Sequence, residues 1–262
     1  MTGDGSSRHA VERARAQPEN GDRPRRVRVI GRGRAGGALA LGLSRVGWET
    51  TLASGRGEDH ARAGDGVDLV VLAVPDAAVR SVADAIDPTG AVVCHLAGSL
   101  GLEVLGPHPR AAALHPLVSL PDAEIGAQRL VGAWFAVAGD DAVTAVVSAL
   151  DGRSFVIADQ DRAAYHAAAV IASNHLVALM GQVERVSAGV GVPRAAMIDL
   201  ARGSLDNVAT IGAAAALTGP VARGDEATIE RHRAALPGDE RALYDALVDA
   251  ARRLVQERDD RT

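Results

Sequence analysis

The chain has 262 residues, enough for two modest cores, and its 47% apolar and 23% charged residues are ordinary for a globular protein. A net charge of −5, with no basic stripe interleaved with aromatics, argues against a nucleic-acid partner. All 28 basic residues are arginine, which excludes a lysine Schiff base or a lysine general acid.

Aromatics supply only 2% of the residues, so the core must be built from Ala, Val, Leu and Ile. Residues 1–24 are polar, end at Pro24, and are expected to form a disordered tail. The single Cys94 lies in an apolar run and reads as a reduced core residue. No uninterrupted apolar stretch reaches membrane-spanning length, and the N-terminus lacks the apolar centre of a signal peptide. A cytoplasmic protein without a membrane partner is expected.

From Val27, short β-branched runs alternate with helical segments, the pattern of parallel βαβ units. Strands are expected at 27–30, 49–53, 68–73, 91–96, 112–114, 134–138 and 153–157, and a helix at 35–46 closed by Gly47. After Asp159 the pattern turns alanine-rich and helical, with helices expected at 161–188, 193–201, 204–217, 225–235 and 239–257. The expected fold is therefore α/β: a Rossmann-type parallel-sheet domain at 25–158, followed by an all-α second domain at 159–262.

Gly31-Arg32-Gly33-Arg34-Ala35-Gly36 has the GxGxxG spacing between a strand and a helix. The first glycine permits the tight turn, the second admits a pyrophosphate against the backbone, and the third lets helix and strand pack closely. An NAD site would carry an acidic residue about 20 residues on, for the ribose hydroxyls. The second strand instead ends in Ala53-Ser54-Gly55-Arg56. Ser54 and Arg56 are suited to a ribose phosphate, and Arg32 and Arg34 add positive charge, so the expected cofactor is NADP.

Ligands in such sheets bind beyond the carboxyl ends of the strands. Val74-Pro75-Asp76 falls there beside the cofactor, or forms a simple turn with Asp76 as a helix cap. His95-Leu96-Ala97-Gly98-Ser99 and His115-Pro116-Leu117 follow the next strands. His95 is assigned to the substrate. Ser99 is either an alcohol donor near the nicotinamide or an N-cap. His115, held extended by the following proline, is either a proton donor or carboxylate ligand, or a hydrogen-bonded structural histidine.

The helix containing Tyr165-His166 and Ser173-Asn174-His175 is apolar nearly all round, which predicts burial. His166 and Asn174 fall about 80° apart on it and can face one cleft, or satisfy buried backbone instead. His175 is expected at a packing or interface position. Thr218-Gly219-Pro220-Val221-Ala222-Arg223-Gly224-Asp225 is a tight inter-helix connection in which Arg223 could clamp a carboxylate and Asp225 could cap. No zinc spacing and no nucleophile elbow is present, so no metal is expected.

The run from Val27 to Gly47, the Leu114-His115-Pro116 turn, Ala172-Ser173-Asn174-His175 with Gln182-Val183-Glu184-Arg185, and Leu217 to Asp225 resemble the two-domain Rossmann-like family whose second half is domain of unknown function 2520. The wider group it is similar to includes ketopantoate reductase, pyrroline-5-carboxylate reductase, prephenate dehydrogenase and 6-phosphogluconate dehydrogenase. The resemblance implies a site between the two domains and a homodimer formed through the helices. Ketopantoate reductase and the phosphogluconate enzyme use a lysine and an asparagine on the first long helix of the second domain, where this chain has His166 and Asn174. The His115-Pro116 turn is similar to a substrate-binding turn of prephenate dehydrogenases.

The expected function is an NADP-dependent oxidoreductase reducing a C=O or C=N bond of a small carboxylate, with ketopantoate the leading single substrate. His166 would protonate the product atom, Asn174 would orient the substrate, and His115 or Arg223 would bind its carboxylate, with Ser99 as a further donor. The alternative is a non-catalytic NADP-binding sensor or scaffold, since fold alone does not fix function. A deazaflavin-linked oxidoreductase shares the same fold.

Overall fold

The computed structural model describes residues 25–260, so the expected tail at 1–24 lies outside the described residues. Seven strands, β1 (Arg26–Ile30), β2 (Glu49–Ala53), β3 (Leu69–Leu72), β4 (Val92–His95), β5 (Ala111–Pro116), β6 (Trp134–Gly139) and β7 (Arg153–Val156), form one sheet. Their order is β2-β1-β3-β4-β5-β6-β7. The alternating β-branched residues explain the layering. Val27, Val29, Val71, Cys94 and Leu114 join one buried cluster with Leu39 and Leu43, while Ile30, Val70, Leu72 and Val93 join another with Val79 and Val82. The first cluster packs α1 (Arg34–Arg45) and α4 (Val143–Ala149), and the second packs α2 (Asp76–Asp84). Helices thus cover both faces, as in doubly wound folds. The helix α3 (Ala123–Leu130) contributes Leu130 to the first cluster.

The expected Rossmann-type parallel sheet is present with one exception, because β5 and β6 pair antiparallel, with His115 opposite Ala136. Strand direction is not encoded in β-branched patterning, which fixes only the face each residue presents. All other pairings are parallel, so the carboxyl ends of β1, β3, β4 and β5 lie along one edge. His115 and Pro116 belong to β5 itself, where the sequence suggests the loop beyond it.

The described residues form two compact units, divided between Ser173 and Asn174, where the sequence suggests a boundary at 158/159. The first helix after the sheet, α5 (Arg162–Val170), belongs to the first unit. The expected continuous helix over 161–188 is broken into α5, a π-helical turn at Ile171–His175, and α6 (Leu176–Ala188). Within the turn, the Ser173 hydroxyl donates to the Ala169 carbonyl at 2.7 Å, a back-bond that competes with the helix ladder.

The second unit continues with α7 (Arg194–Ile211), α8 (Ala213–Ala216), α9 (Gly219–Ala222), α10 (Glu226–Ala235) and α11 (Arg241–Asp259). The expected break near residue 202 is absent. Gly203 costs an exposed helix only about 1 kcal/mol relative to alanine, which the residues around it offset. In this unit Gln182 donates to the Glu240 carbonyl at 2.7 Å, and Arg185 pairs with the Glu240 carboxylate.

The predicted burial of the 161–188 segment is also overturned. Val177 is 72% exposed and Ile171 60%, and α7 has no buried residue at all. An apolar helix surface exposed to this extent in a single chain lacks its cover.

Candidate active site

The loop after β1 is shaped by close backbone approaches. Gly31 has φ +121°, and a Cβ there would stand 2.2 Å from the Ala73 carbonyl oxygen, so only glycine lets β1 turn beside β3. A Cβ on Gly36 would meet the Gly31 carbonyl oxygen at 1.9 Å, so the third glycine lets α1 start directly on the turn. Gly33 differs. Its position has open space around it, and it caps α1 without any side-chain hydrogen bond. With no acidic residue in its first turn, α1 leaves N-terminal N–H groups for an anion, and the 12-residue helix adds its dipole. A pyrophosphate fits this cradle.

Around it, Arg34 and Arg56 are exposed with no ion pair among the described residues, whereas Arg32 reaches Glu58 only at 3.5 Å. Ser54 has a different role from the one expected. Its hydroxyl donates to the Arg56 carbonyl at 2.8 Å and accepts the Arg56 N–H at 3.1 Å, so it shapes the turn that carries Arg56. Val74 packs beside Gly55, and Pro75 caps α2. Asp76 is not the cap. As the first residue of α2 it accepts a hydrogen bond from the Ser99 hydroxyl at 2.8 Å, so Ser99 is not an N-cap either.

A second group of polar side chains stands at the ends of β4 and β5. The His115 Nδ1 lies 2.6 Å from the Tyr165 hydroxyl, and its ring meets those of Tyr165 and His166 edge-on, with centroids at 5.6 and 5.8 Å. Gly98 makes the space for this cluster. A Cβ there would stand 2.9 Å from His115 Nε2 and 2.7 Å from His166 Cδ2. His95 is fully buried, its Nε2 donating to the Gly101 carbonyl at 3.2 Å, so it braces the turn behind the cluster. Arg162 is fully buried too. Its Nε donates to Asp159 at 3.1 Å, its two terminal nitrogens have no partner among the described residues, and Asp159 also accepts the Leu102 N–H.

Burial, and then repulsion from His166 and Arg162, push His115 from 6.5 to about 4, with Asp76 pulling the other way. Burial raises Tyr165 to about 12. His95 is likewise lowered, chiefly by burial. At neutral pH the cluster therefore holds a neutral imidazole against a protonated phenol.

His115, His166 and Ser99 thus lie along the edge at which the glycine loop opens, whereas Asn174 and Arg223 belong to the second unit. Asn174 is exposed within the π-helical turn, and Arg223 is exposed at the end of α9. Asp225 caps α10, accepting the Thr228 N–H at 3.0 Å. Tyr165 and Arg162 escaped the sequence reading. The signal was their spacing, since Arg162, Tyr165 and His166 stand at i, i+3 and i+4 on one helix face. No group of three or more metal-ligating side chains occurs among the described residues.

A seven-stranded, mostly parallel sheet with an anion-ready glycine loop, followed by a helical unit, is a Rossmann-type dinucleotide-binding fold with a second helical domain. Residues 134–251 match the family described as domain of unknown function DUF2520. Among solved structures it is similar to TM1727 of Thermotoga maritima, at 24% identity over 88% of this chain and 99% of that one (TM-score 0.67). BF3122 of Bacteroides fragilis, provisionally described as an NADP oxidoreductase, matches at 20% identity over 88% and 98% (0.74). A reductive aminase of Aspergillus terreus, in complex with NADPH4, cyclohexanone and allyl amine, matches at 16% over 88% and 94% (0.66). No curated protein matches the sequence.

The three glycines should separate by substitution. Gly36→Ala should lower the thermal midpoint strongly, whereas Gly33→Ala should fold as wild type yet bind a dinucleotide at least about tenfold more weakly, through lost backbone approach. Equal effects of the two on folding would contradict the reading of the loop. A second expectation concerns pH. Because the folded pKa of His115 lies below its ordinary 6.5, its contribution to stability is fully present above that value and is lost as pH falls toward about 4. Urea midpoints should drop across this window less steeply in His115→Gln than in wild type.

Proposed function

We propose that the protein is an NADP(H)-dependent reductase acting on a C=O or C=N bond of a small carboxylate. The observation that carries this reading is that the uncapped helix start at Gly33 and the His115, Tyr165 and His166 cluster share one carboxyl edge of one sheet. The provisional oxidoreductase description of BF3122 and the NADPH-derived ligand of the reductive aminase support it.

Gly31, Gly33 and Gly36, with the backbone of Arg32, Arg34 and Ala35, hold the pyrophosphate. Arg56, presented by the Ser54 turn, meets the ribose phosphate with a planar fork of donors, and Val74 and Pro75 line the neighbouring wall. The bound nicotinamide supplies hydride chemistry. This chain's own part is to orient the acceptor and provide a proton, for which His115 and His166 stand side by side over Gly98. Ser99, held by Asp76, is a further donor along the same edge. Asn174 and Arg223 remain assigned to the substrate by sequence alone.

The absence of any lysine favours one rival, a sensor that binds NADP without turnover. NADPH oxidation should be followed with 2-keto acids, ketopantoate first, and with cyclic imines. At least one should be reduced, and the His115→Gln, His166→Gln double variant should lose about 100-fold in kcat with NADPH affinity retained. If NADPH binds tightly and nothing in the panel is reduced, the sensor reading replaces this one.

The same proposal includes a cytoplasmic homodimer formed through the helices. One described stretch, Asp159–Ala188, is long and apolar enough to cross a bilayer by length and composition alone. Its His166, Asn174 and His175, together with the exposed Leu200 and Leu205 of α7, favour cover by a second copy. Light scattering without detergent should give about twice 26.9 kDa. A monomer, or a requirement for detergent, would contradict the dimer.

A further inference from the structure

The reductase reading leaves open how a neutral histidine delivers a proton, and the surroundings of His115 answer it. Among the described residues the Tyr165 hydroxyl has one polar neighbour, His115 Nδ1, at 2.6 Å. With the hydroxyl donating to this acceptor, Nδ1 would carry the lone pair and the ring hydrogen would reside on Nε2. The other end of the ring has no hydrogen-bond partner among the described residues. Nε2 instead lies beside Gly98, where the Cβ of even an alanine would crowd it at 2.9 Å. A glycine beside an unpaired donor covers it less than any other residue would.

We propose that Tyr165 and His115 form a proton relay whose delivery end is His115 Nε2, and whose acceptor is the oxygen or nitrogen of the substrate's reducible double bond. The proposal rests on the reductase reading. As hydride adds to the carbon, the π electrons move to the oxygen or nitrogen. The Nε2–H bond then breaks as the new O–H or N–H bond forms, and Nδ1 takes the Tyr165 proton. The relay resets when Nε2 takes a proton from water and Nδ1 returns its proton to the phenolate. The direction is favourable because an alkoxide is a stronger base than a phenolate, even one whose phenol is pushed up to about 12. His115 stays neutral at both ends of the cycle, in keeping with its depressed pKa of about 4. It is crowded there by His166, Arg162 and the more distant His95, with Asp76 opposing them. His115 is the catalytic group, and Tyr165 is the positioning residue that fixes its tautomer and refills it.

Histidine-selective 15N NMR of the full-length protein tests the relay without any substrate. Wild-type His115 should report a protonated Nε2 and a hydrogen-bond-accepting Nδ1, and Tyr165→Phe, which keeps the ring and should keep the fold, should lose that preference. A protonated Nδ1 in wild type, or an unchanged tautomer in Tyr165→Phe, overturns the proposal. With a substrate in hand, Tyr165→Phe and His115→Gln should each lower kcat about 100-fold with KM little changed. Members of a series relay do not act independently, so the double variant should be no slower than the slower single variant. Losses that multiply overturn the relay. A protein that reduces nothing refutes the reductase reading instead, while the tautomer measurement still decides whether Tyr165 sets His115.

Discussion

The site depends on one steric constraint, the contact of Gly31 with Ala73. Because no Cβ stands at residue 31, β1 can turn within touching distance of β3, and because none stands at 36, α1 can begin on that turn. The result is a helix start whose donors are not consumed by any side chain. Everything assigned to the cofactor follows from that: the open face at Gly33, the uncapped N–H groups, and the arginines without ion pairs at 34 and 56. The second cluster repeats the device on a smaller scale, since the missing side chain at Gly98 lets two histidines pack beside it.

The order of layers was readable because the strands are continuously apolar, so that their residues alternate between two buried clusters when helices cover both sides. The glycine spacing was readable because it requires a particular backbone. Three features were not. The antiparallel direction of β6 depends on how its connection packs, which no local pattern records. The break at Ile171–His175 and the exposure of the helices around it escaped notice because an all-apolar helix reads as buried, whether its cover is its own chain or another. His115 and Tyr165 are 50 residues apart, so their hydrogen bond had no sequence signal beyond a polar residue on an alanine-rich helix.

The site's chemistry is set by competition between desolvation and charge. His115 and His95 lose solvent near Arg162, a buried cation paired with Asp159, so both imidazoles are held neutral. A neutral imidazole serves as a donor only if its tautomer is fixed, which makes the phenol at residue 165 as consequential as the histidine it touches. Ser54 carries a similar lesson. A residue expected to touch the ligand instead builds the turn that presents the arginine next to it.

The central claim is that the glycine loop and Arg56 together hold a dinucleotide bearing a ribose phosphate. Titration of the protein with NADPH and NADH, followed by nicotinamide fluorescence, tests it most directly. The account predicts that NADPH binds at least about tenfold more tightly and that Arg56→Ala closes most of the gap. Equal affinity for the two, or a preference for NADH, would contradict it.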